Sequence, residues 1–244
     1  MWDIMRDQGV LLLIGQYPNG PLGGLVATVL LAILGLALSF PCAILLALGR
    51  ISPYRAFRSI SSAIVQTMRG TPLLLVIFWS YFFLPLVIGH AVSGFTTMVG
   101  ALVIYESSYL AEVLRSGIEA LPKGQGEAAR SLGLSYWRTN YLIILPQALF
   151  NTLPSLLGQF VSIIKETSLG YVISVNEFTF AAAQVNSVLL TKPVQVFSIL
   201  AITYFLLCSS LTQTARWLEG RIARRRSGQV GRVVKVMPLP EPAP

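Results

Sequence analysis

Long uncharged apolar blocks separated by short cationic segments set the pattern of this chain. No residue is charged over 8–49 or 139–164, and over 70–105 only His90 can acquire a charge. About 20 apolar residues suffice to cross a bilayer as a helix. The pattern predicts spans over residues 22–48, 73–88, 96–118, 139–164 and 193–215, with Pro41 kinking the first and Pro146 and Pro154 lying inside the fourth. Residues 59–69 are less apolar and read as a helix start at the membrane edge. Residues 1–21, with Trp2 and Tyr17, read as an interfacial lead-in, and 165–192 are too polar to span but suit short helices that dip partly into the protein.

Between the third and fourth blocks lies a polar, cationic island, GQGEAARSLGLSYWRTNYLIILPQ, residues 124–147. A short helical piece breaks at Gly133, and Ser135 then caps a second helix that turns apolar from Tyr141. This is an elbow on the membrane surface, with Ala128 and Ala129 giving it the low bulk that suits a partner's groove. Five spans place the termini on opposite sides. Arg50, Arg55, Arg58, the elbow and the basic tail share one side, and Arg6, Lys165 and Lys192 share the other, so the N-terminus is expected outside and the C-terminus in the cytoplasm. The expected division is a lead-in over 1–21, a transmembrane domain over 22–217, and a basic, Pro-rich, disordered tail over 218–244.

Composition agrees. Of 244 residues, 54% are hydrophobic and 11% charged, against about 25% charged in soluble domains. The fold class is therefore an all-α membrane protein. The net charge of +8 is distributed as topology signals and gives no reason to invoke nucleic acid. Cys42 and Cys208 fall in separate blocks and read as small buried hydrophobes. No basic start followed by a short apolar core and cleavage site opens the chain. The chain has no GxxxxGK[ST] phosphate loop, no HExxH, no GxSxG and a single histidine, so neither an ATP cradle nor a metal or nucleophile set is expected in it.

Ionisable residues inside spans mark pathways or structural pairs. Glu106, Glu112 and Arg115 lie on the third span. Glu112 and Arg115 are spaced i,i+3 and Arg115 and Glu119 i,i+4, the spacing of a helix-surface ion pair. Glu106 lies deeper with no cation one turn away and is the better candidate to line a solute path. Lys165, Glu166 and Thr167 end the fourth span and, with Glu177 beyond them, offer both charge signs to a zwitterionic solute or hold the outer loop. Residues 69–72, Arg-Gly-Thr-Pro, read as a helix start with Pro72 near its first turn. The aromatic run over 78–83 reads as packing and interface belt.

Several of these segments together carry a family resemblance. Glu127-Ala128-Ala129, Gly133, Ile143 and Leu145-Pro146, opened by Gly124, resemble the EAA signature of permease subunits of ABC-type importers. Residues 68–74, MRGTPLL, resemble the "FRGTPLL" of the amino-acid branch, with Met68 in place of Phe. Residues 109–118, YLAEVLRSGI, resemble "AYxAExxRxGI", and 165–169, KETSL, resemble "KDTSL" with Glu166 for Asp. Gly24-Leu25 and Thr28 match a "GLxxT" entry to the first span.

The resemblance implies the type I ABC importer architecture, in the inner membrane of a bacterium. It implies two cytoplasmic ATPase subunits, a second permease chain, identical or related, and an extracytoplasmic amino-acid-binding protein. ATP and Mg belong to the ATPases, and this chain would hold no cofactor or metal and catalyse nothing. The elbow, through Gly124, Glu127, Ala128, Ala129, Gly133, Leu145 and Pro146, would couple ATPase closure to a switch of the path from inward-open to outward-open. Another small solute, or a self-sufficient channel or ion-driven carrier, is the alternative; the docking elbow argues against the second.

Overall fold

The computed structural model describes residues 1–236; residues 237–244, which include the whole PLPEPAP terminus, lie outside them. The order is α1 (Trp2–Ile14), α2 (Gly24–Arg50), α3 (Arg55–Gly70), α4 (Leu73–Ile88), α5 (Gly94–Glu119), α6 (Lys123–Ser131), α7 (Tyr136–Thr139), a π-helical segment (Asn140–Ile144), α8 (Leu145–Glu166), a 3-10 segment (Thr167–Ile173), α9 (Phe178–Leu189) and α10 (Pro193–Val236).

Helices α2 and α5 pack along each other at the centre. The buried positions of α2 are mostly small and recur every three or four residues: Ala27, Thr28, Leu31, Ala32, Gly35, Ser39, Ala43 and Ala47. Lipid tails are as apolar as leucine, so helices in a membrane associate through close packing of such small faces. Gly35 shows the tightness, because a Cβ added there would lie 3.3 Å from Leu102 Cβ. Helix α8 closes on α5 in the same way at Gly117, where an added Cβ would meet Thr152 Cγ2 at 2.2 Å. Large apolar side chains such as Leu45, Trp79, Phe82, Phe83, Leu86 and Phe205 face outward instead. Small and aliphatic side chains pack the interior while bulky apolar ones face the lipid.

Four helical segments are long and apolar enough to cross a membrane: Gly24–Arg50, Gly94–Glu119, Tyr136–Ile173 and Pro193–Trp217. The fifth is a pair, α3 and α4, bent by 105° at the Thr71-Pro72 break. Helix α4 alone has 16 residues, about 24 Å of helix against a hydrocarbon core of about 30 Å.

Three expectations change. Residues 1–21 do more than lead in: α1 buries Ile4 and Leu12 against Phe178, Ala182 and Val185 of α9. The turn behind it needs Gly24, whose φ of +59° and 2.3 Å separation between an added Cβ and Leu12 O exclude a side chain. Second, α10 extends past residue 217 to Val236, across a stretch read as disordered. Low apolar content argues against a core there; it does not argue against a local helix, and Arg, Ala and Gln are good helix formers. Third, Cys42 is exposed, on the outward face of α2, and both cysteines are free.

Candidate functional site

The elbow has the expected form. Helix α6 ends at Ser131, and Gly133, at φ +83°, reverses the chain. The Gly133 and Leu134 N–H groups donate back to Arg130 O (2.9 Å) and Ala129 O (3.2 Å), satisfying the last carbonyls of the helix. Ser135 then caps α7 by accepting from the Arg138 N–H. Gly124, Glu127, Ala128 and Gly133 are exposed, while Ala129 turns inward and is buried. Leu132, 84% exposed, projects from the tip.

The elbow is tied to the spans. Tyr136 Oη donates to Ile51 O at 2.6 Å, at the end of α2, and Asn140 Nδ2 donates to Tyr136 O at 2.9 Å. Leu145 is buried and Pro146 sits in the first turn of α8. Pro146 has no N–H and crowds the turn before it, and the five residues preceding Leu145 are wound as π-helix. The Leu-Pro pair thus fixes where the elbow becomes a span.

Above the elbow, one carboxylate gathers three guanidiniums. Glu112 pairs with Arg115 of its own helix (2.5 Å), with Arg50 at the end of α2, and with Arg69 of α3 (3.4 Å); Arg115 also pairs with Glu119 (2.5 Å). The two pairs within α5 follow from helical spacing. Arg50 and Arg69 reach Glu112 only through packing of α2 and α3 on α5; in the sequence Arg50 reads as a topology signal and Arg69 as part of a helix start. Arg69 also lies over the Tyr109 ring, 5.6 Å from its centroid, and the Tyr109 and Tyr105 hydroxyls meet at 3.1 Å. Residues 105, 109, 112, 115 and 119 thus form a polar stripe along α5.

The stripe leads to Glu106, which is fully buried. Gln159 Nε2 of α8 donates to its Oε2 at 2.8 Å, and the Glu166 carboxyl faces it. Glu106 Oε1 and Glu166 Oε2 are buried without a hydrogen-bond partner. No cation lies within ion-pair distance of either carboxyl among the described residues. Lys165, adjacent in sequence, is exposed, and the Thr167 hydroxyl is spent on Ile164 O (2.7 Å). Gln159 carried no sequence signal; it is one more amide in an apolar helix.

Glu177 does not join them. Its carboxylate accepts from the N–H groups of Thr179 (2.9 Å) and Phe180 (2.8 Å) and from the Tyr204 hydroxyl (3.2 Å), capping α9. Burial pushes this carboxyl up to about 7, against the opposite pull of those donors. Its role is to hold the outer segment, because its oxygens are committed to backbone.

Comparison with known proteins follows the same lines. A family model described as "Binding-protein-dependent transport system inner membrane component" matches residues 39–224. A probable glutamine ABC transporter permease protein, GlnP of Bacillus subtilis, is 36% identical over 200 residues, covering 81% of this chain and 91% of the relative. The inner membrane amino-acid ABC transporter permease protein YhdY of Escherichia coli is 36% identical over 209 residues, and the match spans 84% of this chain but 57% of that longer relative. A crystal structure of an amino acid ABC transporter with histidines superposes with a TM-score of 0.73 at 32% identity, covering 81% of this chain and 92% of that one.

Proposed function

The chain belongs to the family of binding-protein-dependent transport system inner membrane components, and on that premise we propose that it is the permease of an ATP-driven amino-acid importer. It is a multi-pass protein of the bacterial inner membrane, and its part in transport is to form the path. The exposed elbow carries the reading: a lone carrier has no use for a low-bulk, outward-facing helix with Leu132 at its tip. Two cytoplasmic ATPases, binding ATP and Mg, would each receive one elbow from a pair of permease chains, and an external binding protein would deliver the solute. With the basic segments inside, the N-terminus lies outside and the elbow faces the ATP.

ATPase closure would draw the elbows together. Tyr136 passes that displacement to Ile51, and the adjacent Arg50 holds Glu112, so the elbow and the α5 stripe are mechanically joined. The two packings of the bundle then differ in their preference for nucleotide and solute. Glu106 and Glu166, with Gln159 between α5 and α8, supply acceptors for an ammonium group in the path. Conversion of Glu106→Gln is expected to lower uptake or alter selectivity while leaving assembly intact. Unchanged uptake of every amino acid tested makes Glu106 structural.

The deciding experiment is mild-detergent purification from native cells, followed by mass spectrometry of what accompanies the chain. A stoichiometric partner with a GxxxxGK[ST] loop supports the reading. Crosslinking at the elbow that still captures no ATPase moves the assignment to a self-sufficient channel or carrier.

A further inference from the structure

A cavity of about 760 Å³ lies beneath the elbow, between α6 and the ends of α2 and α5. Four cations line it, Arg50, Arg58, Lys123 and Arg130, against two carboxylates, Glu119 and Glu127. Glu119 is already held by Arg115, and Arg50 by Glu112. Arg58, Lys123 and Arg130 have no ion-pair partner among the described residues. Two further donors of the lining, Arg50 Nε and the Thr139 hydroxyl, are buried without a hydrogen-bond partner, and Thr139 is 4% exposed. Buried donors are normally satisfied. Here two of them and three loose cations converge on one space from four separate elements. Arg58, Lys123 and Arg130 are exposed, but the orphaned donors Arg50 Nε and Thr139 Oγ1 are buried, so contact at the exposed face of the elbow does not satisfy them.

The missing group is an anionic acceptor of several oxygens, and a phosphate has that chemistry. Arg50 ends α2 and Glu119 ends α5, which puts the cavity at the depth where spans leave the hydrocarbon and lipid head groups begin. We propose that the cavity binds the phosphate of an anionic phospholipid head group. The lipid would wedge between the elbow and the span ends, with Thr139 and Arg50 Nε donating to its oxygens and Arg58, Lys123 and Arg130 answering its charge. The inference is independent of which solute the transporter carries.

The test is native mass spectrometry of the full complex released from membranes containing phosphatidylglycerol and phosphatidylcholine. Retained phosphatidylglycerol is expected on the wild type. The triple variant Arg58→Gln, Lys123→Gln, Arg130→Gln should bind it on the order of a hundredfold more weakly, at about fivefold per cation. Thr139→Val, which keeps the shape and all charges, should lose retained lipid as well. Size-exclusion chromatography checks that both variants still assemble. Equal retention by the triple variant overturns the proposal. So does displacement of the bound lipid by millimolar inorganic phosphate, which would assign the cavity to a soluble phosphate compound.

Discussion

Gly133 offers the sharpest test of the elbow, because its structural cost can be isolated. Its φ of +83° lies in the left-handed region, and a Cβ added there would meet nothing within 4 Å. Steric cost inside the chain is therefore nil, and only the backbone term remains. That term is about 1 kcal/mol for alanine and about 2 kcal/mol for the β-branched valine, while asparagine tolerates the conformation. At 1.36 kcal/mol per tenfold, the equilibrium constant for the native elbow falls about fivefold in Gly133→Ala and about thirtyfold in Gly133→Val. The protein should still insert, since no core contact is touched. The assay is solute taken up per ATP hydrolysed by the complex in proteoliposomes, with the expected order wild type, Asn, Ala, Val. Full coupling in Gly133→Val would refute the role of the turn. Equal failure of Asn and Val would show that the partner's groove, and not the backbone, sets the requirement for glycine.

Three further outcomes follow from the packing and the charges. Glu112→Gln leaves Arg50, Arg69 and Arg115 without their shared carboxylate; the side chains are 12–41% exposed, so the loss should sit near the lower end of the buried-pair range, roughly 3 kcal/mol, and an unchanged thermal midpoint in detergent would contradict it. Gly117→Leu drives a side chain into Thr152, whose hydroxyl is fixed on Ala148 O at 2.9 Å; overpacking costs of about 1–3 kcal/mol or more should lower the yield of folded protein, and pairing it with Thr152→Ala should recover part of the loss. Glu177 has a folded-state value of about 7 against an ordinary 4.5, so the native state binds the extra proton between those values and stability falls as pH rises through that window; thermal midpoints at pH 5 and pH 8 should differ in that direction, and Glu177→Gln should abolish most of the difference.

The spans and the elbow were legible because each is a local signal. Uncharged length marks a span, and a glycine followed by a capping serine marks a turn into a helix, whatever else surrounds them. The α5 pairs were legible for the same reason, since Glu112, Arg115 and Glu119 need only a helix to meet. Arg50 and Arg69 were not. A cation at the end of an apolar block serves the topology rule equally well whether it faces lipid head groups or reaches a carboxylate 62 residues away. The role of Glu177 was hidden by the same ambiguity: one glutamate ahead of Phe-Thr-Phe reads as a path residue or as an N-cap, and the choice rests on Tyr204, which arrives only when α10 packs beside α9.

The charge arrangement in the bundle sorts the ionisable groups by depth. Toward the elbow, Glu112 is surrounded by guanidiniums and Glu119 is paired, so negative charge is fully answered by the chain itself. Deeper in α5, Glu106 and Glu166 face each other with orphaned oxygens and no cation at ion-pair distance among the described residues. Gln159 answers one oxygen of Glu106, but a buried carboxyl oxygen left without a donor is costly, and a chain that pairs Glu112 three times over has cations to spare. On the proposed function, the pair is open to a passing ammonium, which would satisfy it and then leave. A lysine or arginine placed there by mutation, as in Gln159→Lys, supplies the permanent counter-ion. It should raise thermal stability and abolish uptake together, whereas uptake that survives the stabilised variant would place the solute path elsewhere in the bundle.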